Sequence, residues 1–183
     1  MNLNREAIVK AGLYILDAYG LQDVSMRRIA STLDVGPSAL YWHFASKQDL
    51  LGAMAEVILE ELPQFPGHDL SRLPIWAARF HALLMRHPSG AELVWSVVCL
   101  QDWHKGVGFL IEQGLVESGV DPSIVRGAAH GLLHLVLGQA FHEDQRRQGV
   151  RLGVLPEETD QDSAKTLDDA IALFLAGVQT YSC

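Results

Sequence analysis

The sequence predicts an all-α protein, and three observations carry that reading. Apolar residues recur every three or four positions along most of the 183-residue chain, with no convincing strand alternation. Ser, Asp and Thr stand just ahead of these periodic runs and Gly or Pro just behind them, where helix caps and stops belong. Two runs, Ile124 to Phe141 and the last one, are apolar on all sides, which suits helices buried against other helices.

In chain order, Ile8, Ala11, Gly12, Ile15, Leu16 and Tyr19 form one face of a helix from about Asn4, and Gly20 stops it. Ser25 is the N-cap of a second helix, whose Ile29, Ala30 and Leu33 share one buried face. Asp34-Val35-Gly36 makes a tight turn, and Pro37 is pre-set for the first position of a third helix anchored by Leu40 and Phe44. Ser46 to Asp49 has capping-box spacing and opens a fourth helix to Leu62, with Leu50, Leu51, Met54, Val57, Ile58 and Leu62 on its apolar side. Pro63 ends it, and Gln64-Phe65-Pro66-Gly67 is a turn where a domain boundary falls.

Beyond that boundary, Ile75, Trp76, Phe80, Leu83 and Leu84 stripe a helix from about Ser71 to His87, closed by Pro88. A shorter helix follows from about Ser89 to Leu100, then one from Trp103 to Glu117 weakened by Gly106, Gly108 and Gly114. Asp121-Pro122 caps and opens a long helix to about Gln148, in which Gly127, Gly131 and Gly138 allow close approach. Residues 149–162 read as an acidic loop. Thr166 to Asp169 is a capping box for the last helix, which carries Ile171, Leu173, Phe174, Leu175 and Val178.

Composition narrows the function classes. A 49% hydrophobic content is enough for a well-buried core in one or two small domains. No apolar run reaches membrane-span length and the N-terminus lacks a signal-peptide pattern, so no membrane partner is expected. Cys99 and Cys183 make no disulfide framework, which points to a reducing, cytoplasmic setting. A net charge of −8 argues against indiscriminate nucleic-acid binding. A selective binder would have to gather Arg27, Arg28 and Lys47 on one surface, with His43 as a neutral donor. So few cations make few phosphate contacts, and two subunits would need to act together.

A helix, a Gly-bearing turn and a short helix displaying Ser38, Ala39, Tyr41, Trp42 and His43 is how a helix-turn-helix is built. Its second helix lies in the DNA major groove. Arg27-Arg28-Ile29-Ala30, the Leu33-x-Val35-Gly36 turn, Leu40-Tyr41-Trp42-His43-Phe44 and Lys47-x-x-Leu50-Leu51 agree together, anchored upstream by Ile8-x-x-Ala11 and Tyr19-Gly20. On these features, roughly the first third of the chain resembles the DNA-binding headpiece of the tetracycline-repressor family of bacterial transcription regulators. The resemblance implies an N-terminal three-helix helix-turn-helix domain over residues 1–46, a connecting helix over 47–62, and a helical effector-binding and dimerisation domain over 68–183. It implies a homodimer packed through the helices near 123–148 and 165–180, and a palindromic double-stranded DNA operator with half-sites about one turn apart. A small effector would move the hinge and separate the headpieces.

Candidate roles follow residue by residue. Arg27 can pair with a guanine edge or only neutralise phosphate, and Arg28 adds charge beside it. Pro37, Ser38 and Ala39 open the recognition helix, and Ser38 and Ala39 are small enough to approach base edges and thymine methyls. Pro37 and Ala39 stand where the tetracycline repressor has base-bonding residues, so a different operator is expected. Tyr41, His43 and Lys47 read as phosphate contacts, and Ser25 adds one through its hydroxyl or the helix N-terminus. Trp42 stays open between packing and backbone contact.

In the second domain, Trp76, Phe80, Trp95, Trp103, Phe109, Leu133, Leu137 and Phe141 could line an apolar effector cavity, although core filling is the better reading for most of them singly. Several tryptophans there favour a hydrophobic or aromatic effector. Tetracycline itself is disfavoured, because Trp76, Val94 and Pro63 replace polar or metal-coordinating positions. His130 and His134 lie one helical turn apart, with His81, His104 and His142 in the same domain, which leaves a metal-responsive regulator open. No carboxylate or thiolate completes a recognisable ligand spacing, so neither metal nor cofactor is expected. No phosphate-cradling loop, Gly-x-Ser-x-Gly elbow or Cys/His signature suggests an enzyme. The rival reading is a helical ligand-binding or adaptor module that has lost its operator.

Overall fold

Helix after helix, joined by turns, accounts for the chain in a computed structural model that describes residues 3–100, 106–156 and 161–181, with side chains throughout except at 161–164. Among the described residues the elements are α1 (Arg5–Tyr19), α2 (Met26–Thr32), α3 (Pro37–Leu40), α4 (Lys47–Leu59), α5 (Leu73–Leu84), α6 (Gly90–Val98), α7 (Val107–Glu117), α8 (Pro122–Arg151) and α9 (Gln161–Gln179). Single 3-10 turns precede α2 and α5.

The boundaries obey local capping chemistry. The Asn4 side chain accepts from the Ala7 N–H, Ser25 from Arg28, Ser46 from Asp49 and Asp121 from Ser123. Ser123 also holds the Asp121 carboxyl below its usual range, by side-chain and then backbone hydrogen bonding. Gly20 ends α1 with φ +85, a conformation open to glycine at little cost, and its N–H donates to the Leu16 carbonyl. In the turn between α2 and α3 the left-handed residue is Asp34 (φ 55) rather than Gly36, whose φ is −69. Asp tolerates that region because its short polar chain bonds locally.

Several expectations are revised: Val57, placed on the apolar side of α4, is exposed, and α8 runs past Gln148 to Arg151, into residues read as a loop. The Thr166–Asp169 box does not open the last helix, since α9 already runs from Gln161 and Asp169 pairs with Lys165 one turn back at 2.7 Å. The helix expected from Ser71 begins at Leu73, because Asp69 caps a short turn and Pro74 occupies the first helical turn. Ile75, placed on the buried stripe by periodicity, is exposed, and Leu73 and Ala77 take the inward positions with Trp76, Phe80, Leu83 and Leu84.

Packing follows from the buried faces. α1, α2 and α3 close on Ile8, Ile15, Leu16, Ile29, Leu40 and Phe44, all essentially inaccessible to solvent. α8 is the post of the rest, with α5, α6, α7 and α9 laid against Val125, Ala129, Leu132, Leu133, Val136, Leu137 and Ala140. α4 leaves the headpiece and packs on α1 at one side and on α5 and α6 at the other.

The outer faces of α8 and α9 are open. Gly127, Gly131, His134, Gly138 and Phe141 form an exposed stripe at helical spacing. A Cβ at Gly127 or Gly138 would meet nothing within 4 Å. Beside it, α9 exposes Leu173, Ala176 and Gly177, with Leu173 76% accessible. Such a face is normal for an interface and costly in a monomer.

Candidate nucleic-acid interface

The recognition segment is short and held from beneath. Pro37 to Leu40 is helical, and the turn continues through His43 and Phe44, whose N–H groups both donate to the Leu40 carbonyl. Leu40 and Phe44 are fully buried, as their four-residue spacing predicts, so the intervening residues must face away. Trp42 is 90% accessible, which leaves it no packing role within the protomer. Pro37, Ser38 and Tyr41 are exposed beside it, and Ala39 and His43 are half-buried.

The cations differ in their freedom. Arg27 is exposed and Lys47 half-buried at the start of α4, and neither makes an ion pair among the described residues. Arg28 is engaged: its guanidinium pairs with Asp23 and lies 4.0 Å over the Tyr19 ring. A phosphate contact from Arg28 would have to compete with both. Ser25 uses its oxygen to cap α2 at 3.2 Å from the Arg28 nitrogen, and its hydroxyl proton remains available to an acceptor.

One residue of this surface escapes sequence reasoning. Arg5, at the start of α1, donates to the His43 carbonyl, covers the Phe44 ring at 4.0 Å and stands 3.9 Å from Asp49. It ties the end of the recognition turn to α1 and to the first turn of α4. Thirty-eight residues separate Arg5 from His43, so no local pattern reveals the contact.

The headpiece is joined to α8 through the loop between α5 and α6. His87 Nδ1 lies 2.8 Å from Asp17 of α1, Arg86 pairs with Glu61, and the Ser89 N–H donates to the buried Asp144 of α8 at 3.0 Å. Ser89 has φ 61, held by that bond. Next to Asp144, buried Glu143 accepts from Gln139 and stands 3.1 Å from His81 Nε2.

The expected effector residues divide. Phe80, Leu133 and Leu137 are fully buried, and Trp76 is buried with its indole N–H on the Pro63 carbonyl at 2.8 Å. Phe109 is half-buried, while Trp95 and Phe141 open toward solvent. Trp103 lies outside the described residues, as does His104. An apolar groove of about 380 Å³ does run between α4, α6 and α7, lined by Ala55, Leu59, Leu62, Val94, Val98 and Leu110. The His130 and His134 rings stand 5.7 Å apart, and His134 lies against Trp95. Burial, then His134 and Arg126, holds the His130 ring below its usual pKa, with Glu112 opposing. No group of three potential ligands stands together among the described residues.

Comparison with known proteins supplies the family. The profile of bacterial regulatory proteins of the tetR family matches residues 8–54, from the buried face of α1 to the middle of α4. Half of the chain is 44% identical, over 96 residues, to the class C tetracycline repressor protein of Escherichia coli, and the match spans 44% of that protein's length. The crystal structure of Mycobacterium smegmatis BioQ is similar over 99% of this chain and 100% of its own, with a TM-score of 0.84 and 30% identity. A structure of BioQ with its double-stranded DNA operator is similar over 94% of this chain and 99% of its own, with a TM-score of 0.71 and 32% identity. With the headpiece and the C-terminal helices both covered at that identity, the chain belongs to the tetR family of bacterial regulatory proteins.

Proposed function

We propose that this chain is a homodimeric repressor, acting in the cytoplasm, that binds a palindromic operator and is released by a small hydrophobic or aromatic effector. The observation that carries this reading is the recognition turn, where buried Leu40 and Phe44 fix a surface from which Ser38, Tyr41 and Trp42 all project outward. Residues 1–46 are then the DNA-binding domain, 47–62 the connecting helix and 68–183 the effector-binding and dimerisation domain. The open faces of α8 and α9 suit a two-fold four-helix interface, and the apolar groove against α4 suits a hydrophobic effector whose entry would move the connecting helix. Similarity to BioQ, which was solved on its operator, supports the DNA reading.

Selection of bound duplexes from a random pool by the purified full chain, near physiological salt, tests it. Enrichment of one palindrome with half-sites about a turn apart is expected. No enrichment by a folded dimer would favour the adaptor reading instead.

Two substitutions then separate contact roles. Arg27→Ala is expected to relax base preference at one position per half-site, losing about 1–3 kcal/mol of discrimination there. Equal weakening on every sequence would assign Arg27 to phosphate alone. Lys47→Ala is expected to weaken all sequences alike and to lower the salt slope by about one per protomer. An unchanged slope would remove Lys47 from the phosphate contacts.

A further inference from the structure

The linker between α4 and α5 carries an aromatic side chain out of keeping with a surface turn. Phe65 is buried, its ring 5.0 Å from Trp76 in an edge-on contact. On the other side it fills the space left by Gly114 of α7. A Cβ at Gly114 would fall 1.9 Å from the Phe65 ring, so glycine is required there while the ring is in place. Phe65 is thus inserted into a slot between α5 and α7, with a hollow on each side. The α7 hollow is about 390 Å³, bounded by Phe109, Leu110 and Gln113. The α5 hollow is about 480 Å³ and more polar, bounded by Arg72, Arg79, His68 and Trp76.

The charges of that second hollow are unbalanced. Arg72, the N-cap of α5, and Arg79 within α5 are seven residues apart, flanking Ile75 and Trp76, and neither makes an ion pair among the described residues. Glu117 also borders the hollow, but its carboxylate lies over Gly67 of the linker, where a Cβ would come within 2.5 Å. Two guanidiniums with ten N–H donors between them therefore share the hollow with a single carboxylate, which pairs with neither. A ring-sized apolar slot next to two unpaired guanidiniums matches an aromatic or acyl carboxylate.

We infer that the linker slot is a ligand site for an amphiphilic carboxylate, and that Phe65 is its internal occupant, displaced when the ligand's apolar part enters and its carboxylate reaches Arg72 and Arg79. The site adjoins the apolar groove between α4, α6 and α7, sharing Leu110 with it, and differs from it by the two guanidiniums on the α5 side. Because the linker follows α4 directly, displacing Phe65 pulls on the connecting helix. That consequence for DNA rests on the repressor reading, whereas binding itself does not.

Calorimetric titration of the full chain with 1-naphthoate, and with the neutral 1-naphthalenemethanol, tests the site without DNA. Phe65→Ala is expected to bind naphthoate at least tenfold more tightly than the unsubstituted chain, since the competing ring is gone. Adding R72Q and R79Q to that variant is expected to return at least tenfold for naphthoate while leaving the neutral alcohol unaffected. Unchanged naphthoate affinity in F65A would overturn the role of Phe65, and unchanged affinity after loss of both arginines would overturn the carboxylate assignment. If F65A does not fold, F65L keeps the slot apolar and carries the same comparison, with no tightening counting against the site. Binding indifferent to all these substitutions would place the probe in the other groove and sink the inference.

Discussion

Leu173→Asp is expected to produce a folded monomer that no longer holds a palindromic operator. Leu173 is 76% accessible in the single chain, so a charge there costs the protomer almost nothing. In a two-fold interface built from α8 and α9, the same carboxylate would be buried between the two protomers. Desolvating an ion costs several kcal/mol, and symmetry introduces the charge twice, so association should weaken about a thousandfold or more. Sedimentation should show the monomer mass with unchanged helical circular dichroism. Operator binding should lose roughly half its salt slope, as each headpiece would bind alone. A variant still dimeric at micromolar concentration would move the interface off this face.

Phe44→Ala and Trp42→Ala are expected to have opposite consequences although they are two residues apart. Phe44 is fully buried beneath the Arg5 guanidinium, and truncating it leaves a cavity among Leu40 and the α1 residues. Such losses cost about 3–5 kcal/mol, which should lower the headpiece melting temperature by on the order of 10 °C. Trp42 is almost wholly exposed, and its removal should change stability by about 0.5 kcal/mol or less. It should nonetheless weaken operator binding by up to about tenfold, the worth of one aromatic contact of about 0.5–1.5 kcal/mol. Scanning calorimetry and operator titration on the two variants would separate these. A large stability loss in Trp42→Ala would mean that the indole packs within the protein after all.

Both contrasts arise from the way local and distant interactions share out the residues of the headpiece. Helix caps at Ser25, Ser46 and Asp121 are legible in sequence because a cap and its target lie within three residues of each other. The same spacing rule sends Leu40 and Phe44 inward and Trp42 outward. Where a second local interaction is available, the rule loses force. Asp169 had the spacing of a capping box, but with α9 extended back to Gln161 it pairs with Lys165 instead. Ile75 had helical spacing with the apolar residues around it, yet periodicity alone cannot say where the edge of the buried stripe falls. That edge is set by how far the neighbouring helices reach.

The fold class, the capped helix starts at Ser25, Ser46 and Asp121 and the residues of the recognition turn were determined by the sequence itself, because hydrophobic period, caps and turn chemistry act within a few residues. The tertiary structure alone decided which charges remain free for a partner. Arg28 is drawn to Asp23 and Tyr19, whereas Arg27 beside it stays open. It also decided the long contacts: Arg5 on His43, Asp144 on Ser89, and Phe65 in the space left by Gly114. These join residues 38, 55 and 49 positions apart. Such contacts form only after chain closure has brought their elements together, and the entropy of that closure is met by the whole core rather than by the contact. No short window of sequence contains both partners, and for that reason none of them could be read before the fold was known.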